Sequence, residues 1–222
     1  TDDDARTLAR ISLANYFAGA LLMPYSTFFK AAKSLRYDIE LLQHRFAASF
    51  EQVCHRLTNL QRPGQRGVPF HFLRVDIAGN ISKRFSLSGI HIPRHGGACP
   101  RWNVHAAFLH PGVINVQISQ MPDGTTFFSI AQTVLKTAGG YGQTRSYQAI
   151  ELGCEIGQAA KLVYADGIDL DRPERTTPIG VSCRICPRMD CGPRAFPPVA
   201  HELETDINAR GASAYVSAAG RE

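Results

Sequence analysis

The sequence predicts an α+β protein: a helical N-terminal unit, then a mostly antiparallel sheet with flanking helices, then a cysteine-rich tail. Three observations carry this. Apolar residues recur at three- and four-residue steps over 2–60, alternate with polar ones in four runs over 70–134, and thin out after Asp166, where Pro, Arg and Cys accumulate. The chain has 222 residues, 44% of them hydrophobic and 19% charged, which suffices for a packed core and excludes disordered, collagen-like and coiled-coil classes. Its longest apolar stretch, 11–23, is interrupted by Ser12 and Asn15 and is shorter than the roughly 20 residues a membrane span needs. Thr1 and three aspartates open the chain, so no secretory signal is visible, a cytoplasmic location is expected, and the missing initiator Met suggests a fragment. A net charge of +5 is compatible with an anionic partner, but it is small and spread along the chain.

The helical unit is expected over 1–62, with a break at Pro24. Ser49 reads as the N-cap of its last helix, and Gln52 completes a capping box. Phe50, Val53, Cys54, Leu57 and Leu60 then share one face, which makes Cys54 a core residue. The polar run 61–67, punctuated by Pro63, Gly64 and Gly67, reads as a linker. A second unit is expected over 68–165. Its strands 70–77 and 81–87 flank a Gly79-Asn80 turn, and strands 113–121 and 126–134 flank Pro122-Asp123-Gly124. Between the pairs, a loop carrying Gly96, Gly97 and Cys99 leads through Arg101 and Trp102 into a short helical stretch. Residues 146–164 read as a helix with Ala149, Leu152, Ile156, Ala159 and Val163 as its core stripe and Cys154 off that stripe. The tail, 166–222, has too few apolar residues to fold without something to pin it.

Six cysteines in a chain without a secretory signal point to metal or redox chemistry before disulfides. Cys183, Cys186 and Cys191 form a C-x2-C-x4-C run set among prolines and glycines, a loop able to aim three sulfurs at one point. Cys154 is the expected fourth ligand. Four thiolates suit an iron-sulfur cluster or a structural zinc, and three close cysteines plus a distant one are more typical of a [4Fe-4S] cluster. Arg184, Arg188 and Arg194 would offset its negative charge. Cys99 reads as a spare ligand or an ordinary buried thiol.

Two further stretches support a family resemblance. Ser12-Leu-Ala-Asn-Tyr-Phe-Ala-Gly-Ala-Leu-Leu-Met-Pro24, with Arg45-Phe46 and the segment from Ser49 to Leu57, resembles the last helices of the metallopeptidase-like domain of bacterial regulators. Cys99-Pro-Arg-Trp-Asn-Val-His105, Leu152-Gly-Cys154 and the cysteine run are similar to the C-terminal domain of the short-chain fatty acyl transcriptional regulators. The resemblance implies a regulator of short-chain fatty acid (propionate) catabolism that senses CoA or acyl-CoA and reaches DNA through an N-terminal helix-turn-helix absent from this chain. No H-E-x-x-H motif is present, so the chain is not expected to be an enzyme; a homo-oligomer is admissible. The sheet with a flanking and a short central helix also resembles a GAF-like sensor. Lys83 and Arg84 on the second strand, with Arg101, Trp102 and His105 near the glycine-rich loop, form the expected CoA site: cations for phosphates and an aromatic or Arg face for adenine. Two other readings stand beside this one. An iron-sulfur enzyme would leave one iron open, with three cysteine ligands instead of four, and a zinc-stapled interaction module would bind no small molecule.

Overall fold

The computed structural model describes residues 2–94, 97–136 and 140–200; Gly96 of the glycine-rich loop and positions 201–222 of the expected tail lie outside the described residues. Four helices come first: α1 (Asp3–Leu22), α2 (Tyr25–Ser34), α3 (Ile39–Phe46) and α4 (Phe50–Thr58). Pro24 separates α1 from α2, because its ring removes an N–H and fixes φ. The Ser49 hydroxyl accepts from the Gln52 N–H and the Gln52 side chain accepts from the Ser49 N–H, so the expected capping box is formed. Helices α2 to α4 bury Phe28, Ile39, Leu42, Val53, Cys54 and Leu57, whereas α1 buries no residue at all.

Both expected hairpins are present: β1 (His71–Asp76) with β2 (Ile81–Ser86), and β3 (Asn115–Gln120) with β4 (Thr126–Lys136). The turns are set by Asp76, whose carboxylate accepts from the Ala78 and Asn80 N–H groups, and by Gly79 and Gly124 at positive φ. A short helix, α5 (Asn103–Ala106), lies between the pairs.

The expected helix over 146–164 is overturned. Residues Ser146–Glu155 form strand β5, which inserts between β1 and β4, and only the end of the span coils, as two short 3-10 turns, Ile156–Lys161 and Val163–Ala165. The sheet order is β2-β1-β5-β4-β3-β6, with β6 (Thr176–Pro178) parallel to β3 and every other pairing antiparallel. The misreading has a physical cause. As a central strand, β5 is covered on both faces, so its apolar residues form a nearly continuous run in which period two is hidden. Gly153 belongs to this strand for a steric reason: a Cβ there would lie 2.4 Å from His71 Cε1. His71 itself is buried, with Nδ1 2.8 Å from Ser88 Oγ and Nε2 3.6 Å from Glu151 Oε1.

Alternation along β5 divides the interior into two cores. Ile150, Leu152 and Cys154 join Phe72, Phe128 and Ile130 beneath α2 to α4, so helices and sheet share one core across the 61–67 linker. Ala149, with Leu73, Val75, Phe127 and Ala131, packs on the other face against Trp102, Val104 and Ala107. There the Glu151 carboxylate accepts the Val104 N–H at 3.0 Å, and the Asn103 side-chain amide donates to the Asn115 carbonyl at 2.9 Å, pinning α5 to the sheet. Among the described residues, no helix is long and apolar enough to cross a membrane.

Candidate functional site

The cysteine run is held to the sheet by backbone contacts from several directions. Past β6, the Ile179 N–H donates to the Gln120 carbonyl, and Arg188 donates to the carbonyls of Gln120, Met121 and Ile179. From the α5 side, Trp102 Nε1 donates to the Gly180 carbonyl at 2.8 Å, and the Cys99 N–H donates to the Val181 carbonyl at 3.2 Å. Gly180 lets the loop close: a Cβ at this position would meet Cys186 Sγ at 2.7 Å. Within the loop, the Arg194 guanidinium is buried and donates to the carbonyls of Cys183 and Cys186, and the Ala195 N–H donates to Cys183 Sγ at 3.4 Å. Arg188 and Arg194 therefore order the loop backbone, while Arg184 stacks on Phe196 at 4.7 Å.

Cys154 is not brought to these sulfurs. It points into the core beneath the helices, on the face of the sheet opposite the loop, and burial pushes its thiol up to about 12. The expectation that it projects free of a helix fails because it sits on a strand whose every second residue faces α2 to α4. Cys99 is the cysteine on the loop's side. Burial raises its thiol pKa and the charges of Cys183 and Cys191 add to that, while backbone hydrogen bonds at Arg101 and Gly180 favour the thiolate. Among the described residues, no three Cys, His, Asp or Glu side chains close on one point as a single metal ion requires. The donor set nevertheless suits a soft metal group: four thiols on one side of the sheet, a backbone donor to one sulfur and a glycine that makes room for another.

A second site lies on the helical face of the sheet. A cleft of about 450 Å³ separates α1 and α4 from β1, β2 and β4. Arg56, Arg74, Lys83 and Lys136 line it against a lone acid, Glu51. Arg74 bonds Glu51 at 2.7 Å and Lys136 closes on its other oxygen; burial raises this carboxyl, but the two cations outweigh it and hold it below the ordinary value. Burial lowers the Lys83 ammonium pKa, with Arg74 and Lys136 acting in the same direction and Glu51 against it. Arg56 is 4% exposed; its Nε donates to the Met23 carbonyl at 2.9 Å and its guanidinium faces the rings of Tyr16 and Tyr25.

The five residues expected to bind CoA are divided by the sheet. Lys83 is opposite Arg74 and joins this cleft, whereas Arg84 is opposite Leu73 on the other face and donates to the carbonyls of Pro93 and Arg94. Arg101 is half-buried, its carbonyl accepting from Gln117, and Trp102 is buried as a prop for Gly180. His105 shares a small surface pocket with Pro100, Cys183 and Phe196, and burial lowers its pKa. The sequence reading missed Tyr16, Arg56, Arg74 and Lys136. Arg56 lies on α4 between half-buried His55 and buried Leu57, and an arginine there has no sequence signature separating it from surface charge.

A helical layer on an antiparallel sheet, with a cationic cleft on one face and a thiol loop on the other, makes a module equipped for binding. Residues 59–215 match the family model described as short-chain fatty acyl coenzyme A regulator, C-terminal, and residues 2–58 match an IrrE N-terminal-like domain. This chain belongs to the short-chain fatty acyl coenzyme A regulator family. It is 51% identical over 221 residues to the HTH-type transcriptional regulator PrpR of Mycobacterium tuberculosis, covering 98% of this chain and 46% of that protein. It is 50% identical over 212 residues to the propionyl-CoA carboxylase regulator of Cereibacter sphaeroides, covering 96% and 46%. The solved structure of a Mycobacterium tuberculosis transcriptional regulator superposes with a TM-score of 0.91 at 50% identity, covering 96% of this chain and 65% of that one. The chain thus spans about half the length of these curated relatives, both of them regulators by name.

Proposed function

We propose that this chain is the effector-binding part of a cytoplasmic transcriptional regulator of short-chain fatty acid catabolism, with CoA or a short acyl-CoA seated in the cleft between α1, α4 and the sheet. The observation that carries the reading is the charge of that cleft: four cations face a lone carboxylate that two of them already clasp, leaving Lys83 and Arg56 for phosphate oxygens. DNA is reached through the remainder of the protein, in keeping with the HTH-type description of its relatives. The antiparallel sheet bearing a short helix on one face keeps the GAF-like reading, with the effector on the opposite face.

The cysteine loop holds a [4Fe-4S] cluster on Cys183, Cys186, Cys191 and Cys99, the last in place of Cys154. Support comes from the shared face of the sheet and from the Cys99 N–H bond to the Val181 carbonyl, which ties Cys99 to the strand-to-loop segment that carries the other three thiols. When bound, the cluster supplies a redox-responsive staple for a segment with little core of its own. Two measurements test the whole. Anaerobically purified protein is expected to be brown, with about four irons per chain; Cys99→Ser loses the iron and Cys154→Ser keeps it. A colourless protein carrying zinc, or iron loss confined to Cys154→Ser, overturns the ligand set. Calorimetric titration with CoA is expected to show binding that Lys83→Gln weakens and Arg84→Gln does not. Equal, salt-labile binding of ATP and CoA would reduce the cleft to a basic surface.

A further inference from the structure

Arg56 is unusual among the cleft residues because it is buried and only partly satisfied. Its Nε is spent on the Met23 carbonyl, yet Nη1 is buried with no hydrogen-bond partner among the described residues. An arginine cannot shed its charge, and a buried donor left unpaired costs about 1–3 kcal/mol, more when charged. The guanidinium also faces the ring of Tyr16 at 5.8 Å, and Tyr16 belongs to α1, which has no buried residue of its own. Arg56 is thus a member of the fixed core that reaches both the cleft and the loosely held helix: one nitrogen on the carbonyl of Met23, the residue that caps the end of α1, the guanidinium against the Tyr16 ring of α1, and a further nitrogen unused.

We infer that Arg56 is the latch of this site: an anionic oxygen of the bound CoA pairs with Nη1 and fixes the guanidinium against Met23 and Tyr16, so that ligand occupancy clamps helix α1 onto α4. The inference rests on the cleft being the CoA site, and it adds how occupancy is passed on, through the position of α1. No change in the sheet is required, because the contacts of the Arg56 guanidinium that the ligand would fix lie on α1, at its Met23 cap and at the start of α2. A helix without buried residues belongs to the least stable part of a fold, where a single charge-assisted hydrogen bond shifts the balance most.

Hydrogen exchange of the α1 amides, with and without saturating CoA and on the 222-residue chain, reads the clamp directly. Exchange over α1 is expected to slow on adding CoA. Arg56→Lys keeps the charge but loses the planar fork, and is expected to weaken CoA binding about 10- to 150-fold, the equivalent of one charge-assisted hydrogen bond, and to abolish the slowing. Lys83→Gln also weakens binding but retains the slowing once CoA is saturating. Should Arg56→Lys prove poorly folded by circular dichroism, Tyr16→Leu serves, since Tyr16 is exposed; at saturating CoA it is expected to lose most of the slowing, whatever its affinity. Loss of binding in Lys83→Gln with unchanged affinity in Arg56→Lys overturns the latch and leaves the cleft assignment standing. Unchanged affinity in both overturns the cleft assignment, and the latch with it. Unaltered α1 exchange in the wild type, or full slowing in Tyr16→Leu, overturns the clamp alone.

Discussion

Replacing Gly153 with alanine separates the strand from the helix that the sequence suggests at the same place, because the two predict opposite signs. In a helix, Gly→Ala stabilises by about 0.8–1 kcal/mol through reduced backbone freedom and better propensity. In β5 the added methyl would sit 2.4 Å from His71 Cε1, 2.5 Å from Nε2 and 2.9 Å from Ser129 Cβ. None of these is the free end of a flexible side chain. His71 is buried, bonded to Ser88 and packed edge-on against Phe127, so the imidazole cannot swing away without breaking that arrangement. Overpacking of this kind costs about 1–3 kcal/mol. For a domain of this size each kcal/mol moves Tm by about 2–4 °C, so Gly153→Ala is expected to melt about 2–12 °C lower. Gly157→Ala, where an added Cβ meets nothing within 4 Å, is the control and should shift Tm little. Thermal melts followed by circular dichroism give both values. In the double variant with His71→Ala, part of the loss should be recovered as a coupling of about 0.5–3 kcal/mol, since the clash partner is gone. A Tm equal to or above wild type for Gly153→Ala would refute the packing argument.

Other expectations follow from single contacts. Trp102→Phe keeps an aromatic side chain but removes the indole N–H bond to Gly180 and the volume of the second ring, leaving a buried carbonyl unpaired beside a void; a loss of at least about 1–3 kcal/mol and faster proteolysis of the 180–195 loop should result. Glu51 has a folded pKa below the ordinary 4.5, so its contribution to stability is complete above that value and is lost as pH falls through the lowered one. Glu51→Gln should therefore flatten the stability profile on the acid side, as measured by urea titrations at several pH values. In metal-free protein, iodoacetamide should modify the half-buried Cys186 and Cys191 first, while Cys54 and Cys154, buried and with thiol pKa values raised by burial, react only after unfolding. Peptide mass mapping distinguishes the order.

The sequence made legible whatever was local. Ser49 and Gln52 announce a helix start because a capping box needs only four consecutive residues, and Asp123-Gly124 announces a turn for the same reason. β5 was not legible, since its alternation becomes visible only once both faces are known to be covered. The cysteines were legible only in part for the same reason: C-x2-C-x4-C is readable from spacing alone, but which remote cysteine shares its side of the sheet depends on the strand phase of residues 146–155. The cleft was hidden more deeply. Arg56, Arg74, Lys83 and Lys136 come from α4, β1, β2 and β4, and their meeting is a property of sheet order.

The place of β5 also bears on how the molecule is assembled in time. Each hairpin closes over a few residues and can form as soon as it leaves the ribosome, but β1 and β4 become neighbours of a common strand only when residues 146–155 have been made. Until then the nascent chain carries two small ribbons whose inner edges, β1 and β4, are open along their length, the arrangement most prone to pair with another chain. Synthesis past Ser146 ends this exposure, because one strand satisfies both edges at once. A chain terminated before that residue retains the β1–β2 and β3–β4 hairpins with their turns, and is nevertheless expected to aggregate.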